Sequence, residues 1–574
     1  MNRYDYFRTD YTKLYFDRTR FLMPYQHTTA FNVGDIVPLE VEAIYPGDGV
    51  KSQYSFLIRS FTPLVPQMSN LYLDVYAFFV PNRIVWEHWE NFYGQNDTSA
   101  WTENIEYTIP NGFDADAIKA DDGDPDVSAS GTFADYLKIP SFYSFVDESA
   151  SDDCFISDLY RRAYLKIWND WFRDENWQAP ILFSVGDQPT QGETFTYWSD
   201  LLKANKFHDY FTSLIPETQK GQVAEIGDSI PVVVGAEHRS QLVDPNTPEG
   251  TSVYGMNYVL SQSGLPTSNG HPVYVTGSTD TPDRSTTVLD SESLGVGSAF
   301  PITPSNLWAL MSLTIEDIRN AAVVQHVFER LANSGSRYVE SLLGLWGVQA
   351  SDARLAIPEY LGGQRHMLKF MEVLSTTDSL NADQTAGQPI GQTGAYSKTA
   401  SGGTLCNFVA KEHGMLFFLG VVRVEQTYWQ GIDRKFTNKD FFDFYMPQMA
   451  NIGYQPVYER EILATYSAGS RDWNSVLGYA EAWSYLRHTP YSLSSIMRPG
   501  VSDSLGYWNA SDYLDGSAIS SYPDFLQMSP DGYDRTLAIP STTRGSFQFF
   551  GDFKFNNVWT RILPAHSVPG LTRI

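Results

Sequence analysis

Leu71-Tyr-Leu-Asp-Val-Tyr-Ala-Phe-Phe-Val80, followed at once by Pro81-Asn-Arg-Ile-Val-Trp-Glu-His-Trp-Glu90, decides how this chain is read. Ten residues dominated by aromatic and branched side chains, stopped by a proline, read as a β-strand. A short aromatic turn or helix follows. Upstream, Phe31-Asn-Val-Gly-Asp-Ile-Val-Pro-Leu-Glu-Val-Glu42 and Tyr54-Ser-Phe-Leu-Ile-Arg-Ser-Phe-Thr-Pro-Leu64 have the same character, with Gly and Pro turns between. Three such segments start an antiparallel β-sandwich.

Strand signal returns only far downstream. Gly414-Met-Leu-Phe-Phe-Leu-Gly-Val-Val-Arg-Val-Glu425 reads as a buried strand pair or one long strand. Ser546-Phe-Gln-Phe-Phe-Gly-Asp-Phe-Lys-Phe-Asn-Asn-Val-Trp-Thr560 reads as the last strand. Strands at both ends, with helices and loops between, are how a jelly roll with large insertions looks in one dimension. The alternative is three or more independent domains, but no clear linker separates residues 31 to 574. The expected fold is therefore mainly β, a single jelly roll in which the two ends of the chain pair.

The expected segments follow from this frame. Residues 1–30 form a basic and aromatic arm, and 31–94 carry the first strands. Residues 95–216 are an insertion, read as loop over 95–150 and as helix near 155–177. In that helix Phe155, Leu159, Ala163, Ile167 and Trp171 share a face, and Ser151-Asp-Asp153 supplies caps. Residues 217–306 are rich in Gly, Pro, Ser and Thr, with short strand candidates at 230–234 and 272–275. They read as a solvent-facing insertion, with a disordered linker as the alternative. Residues 307–404 hold a helix starting near Thr314-Ile-Glu-Asp317, a second at 337–345, a turn at Gly362-Gly363 and a polar loop over 374–404. Residues 405–574 hold the remaining strands and the C-terminal tail.

Composition bounds the function. The 574 residues are 42% hydrophobic and 19% charged, as in a folded globular protein. Aromatics reach 15%, which suits a chain that buries surface against copies of itself, and equally a carbohydrate-binding protein. A net charge of −27 makes a poor general binder of nucleic acid, so any DNA contact must be local or mediated by a basic partner. The two cysteines, Cys154 and Cys406, give no disulfide framework or metal cluster and read as buried thiols. Met1-Asn-Arg-Tyr-Asp-Tyr-Phe-Arg8 has no apolar stretch of the kind a signal peptide needs, so none is expected, and no apolar run reaches membrane-spanning length.

No enzyme signature survives inspection. Gly295-Val-Gly-Ser-Ala-Phe300 lacks the third glycine of a dinucleotide loop. Glu87 and Glu90 flank His88 beside two tryptophans, but carboxylates need a cleft to act as an acid/base pair, and a packed turn is the plainer reading. Asp121-Asp-Gly-Asp-Pro-Asp126 offers oxygens for calcium, yet its spacing is not that of a helix–loop–helix calcium site, and a solvated acidic loop is the default. No catalytic residue, resident metal or cofactor is expected.

The order and wording of many short segments resemble the major capsid protein of the Microviridae, most closely the gokushovirus branch. The likeness rests on Thr29-Ala-Phe-Asn-Val-Gly-Asp-Ile-Val-Pro38, Tyr45-Pro-Gly-Asp48, Thr62-Pro-Leu-Val-Pro66 and Phe78-Phe-Val-Pro-Asn-Arg83. It continues through Trp171-Phe-Arg-Asp-Glu-Asn176, Lys206-Phe-His-Asp-Tyr-Phe-Thr212, Pro358-Glu-Tyr-Leu-Gly-Gly363, Ala450-Asn-Ile-Gly453 and Gly478-Tyr-Ala-Glu-Ala-Trp483. The resemblance implies an eight-stranded viral jelly roll with long insertions. It further implies a T=1 icosahedral shell of identical copies enclosing circular single-stranded DNA, with no enzymatic activity. The implied partners are other copies, the genome on the inner face, a small basic DNA-associated virion protein and a minor or pilot protein. A host-surface receptor would be met through the 217–306 insertion, the candidate three-fold protrusion. The implied location is the virion, reached through assembly in the host cytoplasm. The rival is a carbohydrate-binding or carbohydrate-active β-sandwich protein.

Both termini are basic on an acidic chain. Arg3, Arg8, Lys13, Arg18 and Arg20 face three aspartates in the first twenty residues, and Arg544, Lys554, Arg561 and Arg573 face only Asp552 near the end. Cations interleaved with Tyr, Phe and Trp suit single-stranded DNA, where charge holds phosphate and rings stack on unpaired bases. These nine residues are the candidate nucleic-acid contacts. The alternative is that they make salt bridges and packing between subunits.

Overall fold

Period-two alternation dictates most of what the chain does. The computed structural model describes residues 17–96, 107–112, 131–139, 155–187, 201–221, 315–335, 337–374, 376, 393–464, 474–514, 521–539 and 547–566. It also describes short strands at 232–234, 273–275, 287–289 and 307–309. Eight long strands build two four-stranded antiparallel sheets: β1 (Thr19–Phe31), β2 (Val37–Ile44), β3 (Gly49–Ser60), β4 (Leu71–Pro81), β5 (Glu359–Met367), β6 (Thr399–Val409), β7 (Gly414–Val424) and β8 (Phe549–Arg561). The first sheet has the order β1-β8-β3-β6 and the second β2-β7-β4-β5. Consecutive strands alternate between the sheets except β4 and β5, which pair within the second, and the last strand enters between the first and third. This is a jelly roll.

The ends of the chain pair as expected. β1 lies against β8 from Thr19 opposite Arg561 to Phe31 opposite Phe549. β8 in turn lies against β3, from Phe549 opposite Ser60 to Thr560 opposite Gly49. Between the sheets Leu39, Phe56, Leu73, Val75, Phe79, Leu416, Phe418, Phe553, Phe555 and Trp559 form one apolar cluster. Each large apolar side chain buried there contributes about 1.5–3 kcal/mol relative to exposure. One polar pair sits inside this cluster. Asn557 Nδ2 on β8 donates to both carboxylate oxygens of Glu40 on β2, at 2.7 and 2.9 Å. Burial, helped by the charge of Glu42 and opposed by the Asn557 hydrogen bond, pushes the Glu40 carboxyl up to about 7.

A second apolar layer covers the outer side of the second sheet. Phe78, Val80, Met415, Phe417, Leu419 and Val421 point away from the first cluster and pack with Trp86, Phe133, Leu159, Ala163, Tyr164, Ile167 and Trp168. Phe133 lies on α1 (Phe133–Tyr136), and Leu159 to Ile167 lie on α2 (Leu159–Ile167). Odd residues of β7 thus enter the outer layer and even ones the inner. That is why its sequence reads as an unbroken apolar run.

Several expectations are corrected. The stretch 1–30 is not an arm throughout: from Thr19 it is the edge strand β1, where Phe21 and Tyr25 pack on the inner cluster and Pro24 costs no ladder bond on the free side. Residues 95–150 are not all loop, since α1 buries Phe133 and Tyr136; four residues are too few to show a period. The loop expected over 374–404 holds the strand Thr393–Ser397, paired with Phe370–Leu374, and the start of β6. Glycine hid β6: a Cβ at Gly402 would lie 2.4 Å from the Tyr54 carbonyl oxygen, so the close strand approach demands glycine. Gly362-Gly363 is no turn but the interior of β5, where the register against β4 shifts and Gly362 takes φ +152°.

The helix expected near 155–177 is α2 followed by one wider turn to Phe172, with Asp158 at its start. Ser151–Asp153 lie outside the described residues. Leu159, Ala163 and Ile167 are buried, but Phe155 and Trp171 are exposed. The expected helices at 314 and 337 are α3 (Ile315–Ser334) and α4 (Tyr338–Trp346). Gly414 to Val424 is one strand, not two. Cys406 is a buried free thiol, pushed up to about 12 by burial; Cys154 lies outside the described residues.

The chain divides into two units, 1–218 with 332–574, and 219–331. The described part of the second unit includes the paired short strands Val232–Val234 with Leu307–Ala309, and Val273–Val275 with Thr287–Leu289. The strands expected at 230–234 and 272–275 fall there.

Candidate nucleic-acid interface

Among the described residues, the outer side of the first sheet carries no second layer like that on β7. Along β8 the buried residues are Phe549, Gly551, Phe553, Phe555, Asn557 and Trp559, while Phe550, Lys554 and Asn556 are exposed. Residues directly opposite across a ladder share a face. Arg20 stands opposite Thr560, Lys51 opposite Val558, and Arg59 opposite Phe550, so all three share the outer face with Lys554. All four are exposed, and none is in an ion pair among the described residues. The one carboxylate among their neighbours on β8 is Asp552. It accepts from Gln26 Nε2 at 2.9 Å and Thr28 Oγ1 at 3.0 Å. Gln53 and Asn556 lie between the cations as amide donors and acceptors, and Phe550 offers a partly exposed ring.

Of the nine residues expected to touch nucleic acid, the structure brings Arg20 and Lys554 onto this face, about 20 Å apart by strand rise. Arg18 is exposed beside the turn at Gly47. Arg561 is engaged elsewhere: its Nε lies 3.4 Å from Asp48 Oδ2 and its guanidinium stacks on the Trp559 ring at 4.2 Å. Arg3, Arg8, Lys13, Arg544 and Arg573 lie outside the described residues. Sequence reasoning missed Lys51 and Arg59. For Lys51 the signal was present in the alternation of Gly49–Ser60, but the strand was expected to begin only at Tyr54; Arg59 lay inside the expected strand and was not singled out.

Several cations elsewhere are held in ion pairs. On the second sheet Asp74, almost wholly buried, accepts from Arg365 Nε at 2.7 Å and Arg423 Nε at 3.0 Å. At the start of α2, Asp158 accepts from Arg161 Nε and Arg162 Nε, each at 2.6 Å, and Arg162 Nη1 donates to the Gly186 carbonyl at 2.8 Å. All three side chains are buried. His88 does not work with the flanking glutamates. Its Nδ1 lies 2.8 Å from Asp187, which also accepts from Trp86 Nε1, and its ring stacks on Tyr107 at 4.2 Å. Burial alone would raise the Asp187 carboxyl, but these two hydrogen bonds outweigh it and hold it low. Among the described residues no three His, Cys, Asp or Glu side chains are grouped to hold a metal ion, and no helix is long and apolar enough to cross a membrane. The Asp121–Asp126 stretch lies outside the described residues.

The family described as capsid protein (F protein) matches residues 12–571. The chain belongs to this capsid-protein family. It is 33% identical to capsid protein VP1 of Spiroplasma virus 4, over 97% of this chain and 96% of that one. It is 31% identical to capsid protein VP1 of Chlamydia phage 1, with the same coverage. With capsid protein VP1 of Bdellovibrio phage phiMH2K it shares 30% identity, over 96% and 95%. The resemblance to Microviridae capsid proteins of the gokushovirus type is thereby shown, and the choice between shell and carbohydrate protein falls to the shell. This capsid protein is structural, not an enzyme. It assembles into a multimeric capsid and its place is the virion.

Proposed function

We propose that this capsid protein tiles a T=1 icosahedral shell around circular single-stranded DNA, with the outer face of the β1-β8-β3-β6 sheet turned toward the genome. One observation carries the reading: on a chain of net charge −27, Arg20, Lys51, Arg59 and Lys554 share one sheet face, exposed and with no ion pair to any described residue, and Asp552 is the one carboxylate beside them on β8. Unpaired cations spaced along a sheet attract phosphate whatever the base sequence, and amides and a ring between them suit unstacked bases. The candidate residues Arg3, Arg8 and Lys13, which precede β1 in sequence, belong to the same proposal as nucleic-acid contacts. Elsewhere the −27 charge repels DNA, which is the reason to expect a small basic virion protein beside it. Contacts with a minor or pilot protein, and with a host receptor through residues 217–306, belong to the same proposal, as does assembly in the host cytoplasm. Calcium at Asp121–Asp126 would be an accessory of that shell.

The test is a particle carrying R20Q, K51Q, R59Q and K554Q together. Shells of unchanged size should form, with DNA content reduced several-fold. Full DNA content in the variant particles rejects the inward assignment of this face.

A further inference from the structure

We propose that residues 436–445 form a preformed aromatic knob that seats on a second copy of this chain. This inference rests on the shell reading above and names one of the contacts by which the shell closes.

The insertion between β7 and β8 contains Lys439-Asp-Phe-Phe-Asp-Phe-Tyr445, in which every residue is exposed. Phe441 is 72% exposed, Phe442 67%, Phe444 58% and Tyr445 48%, with Phe436 nearby in sequence at 76%. An aromatic side chain carries about 150–250 Å². Five of them at these exposures present on the order of 600 Å² of ring surface, at or above the largest apolar patch of an ordinary monomer. That approaches the ~800 Å² each partner gives to a stable protein interface.

The knob is not a floppy loop. The Asp443 carboxylate accepts from the backbone N–H groups of Lys439 at 2.8 Å and Asp440 at 2.9 Å, and Asp443 N–H donates back to the Asp440 carbonyl at 3.1 Å. Those two backbone hydrogen bonds hold the Asp443 carboxyl below its usual range. The Phe441 and Phe442 rings pack edge to face at 5.4 Å, and Tyr445 packs the same way on Trp483 at 5.4 Å. Trp483 is itself buried and anchored by Nε1 donating to the Met449 carbonyl at 2.9 Å. A rigid turn that holds several rings in water loses little entropy on docking, and aromatic anchors are where binding energy concentrates.

The occupant follows from charge and from the family. Around the rings Arg434, Lys435 and Lys439 are balanced by Asp433, Asp440 and Asp443. A locally neutral patch draws neither DNA nor an anionic lipid surface. Copies of a chain with net charge −27 repel one another at long range, so their contacts need apolar surface of this kind. Association with copies of itself is what membership of a capsid family entails.

The test compares the free subunit with assembled particles. Hydroxyl-radical oxidation of Phe441, Phe442 and Phe444 should fall at least five-fold on assembly. In particles grown from a mixture of ¹⁴N and ¹⁵N chains, lysine cross-links from Lys435 or Lys439 should include mixed-isotope pairs. The variant F441S/F442S/F444S should keep the circular dichroism of the wild-type subunit and lose at least ten-fold in particle yield. Equal oxidation in subunit and particle overturns the proposal even if the variant misfolds. Cross-links made only to a different virion protein overturn it as well. If wild-type chains form no particle at all, the shell reading falls first, and this contact with it.

Discussion

β7 and β8 occupy matching places, each second from the edge in its four-stranded sheet, yet their outer sides are opposites. β7 presents Met415, Phe417, Leu419 and Val421 to a second apolar layer built from α1, α2 and the turn at Trp86. Among the described residues, β8 presents Phe550, Asp552, Lys554 and Asn556 without such a layer. Charges differ in the same sense. Near the covered sheet, arginines are locked on Asp74 and Asp158, while on the other sheet four cations have no ion pair among the described residues. One sandwich thus has a face committed to holding the subunit together and a face left for other molecules. A covered face is where substitutions cost stability; an open one is where they cost binding.

That contrast can be broken by measurement. The largest effect is expected from Phe417→Ala, which opens a cavity under α2 and should cost about 3–5 kcal/mol in denaturant unfolding of the free subunit. Phe550→Ala on the open face should cost under ~1 kcal/mol, and equal costs would end the comparison. Next comes Asp158→Asn, which strands two buried guanidinium groups, with an expected loss of about 3 kcal/mol.

Glu40, inside the sandwich, sharpens the same point through pH. Its folded pKa of about 7 lies above the ordinary value of 4.5, so the folded state holds a proton that the unfolded state releases. Stability contributed by that proton is full below pH 4.5 and lost as pH rises through 7, a fall on the order of 3 kcal/mol. Glu40→Gln should flatten the slope of unfolding free energy between about pH 4.5 and 7; an unchanged slope would show that Glu40 is not its source. The smallest stability effect belongs to K51Q/R59Q/K554Q, within ~0.5 kcal/mol of wild type. The same change should lessen the salt dependence of subunit binding to single-stranded DNA by about 0.7 in log–log slope for each phosphate that the variant no longer neutralises.

Much of the frame was legible because a strand writes its burial into its own residues. The unbroken apolar run of β7 announced two buried sides, and the alternation of Ser546–Thr560 announced one. Where glycine replaces side chains, as at Gly402 and Gly362, the alternation vanishes, and β6 and part of β5 look like loop and turn. Arg18 and Arg20 draw attention to charge and conceal the Phe21 and Tyr25 spacing of β1.

By itself, then, the sequence determined the fold class, the pairing of the two chain ends, and the kinship with capsid proteins, since each rests on residue order along one strand or motif. Only the tertiary structure decided which cations share a face and which are neutralised. Lys51 and Arg59 lie almost a whole chain away from Lys554 and meet it through the β8–β3 register, while Arg561, near Lys554 in sequence, turns toward Asp48. Ladder pairing sets such neighbourhoods, and long-range register leaves no local mark in the order of residues.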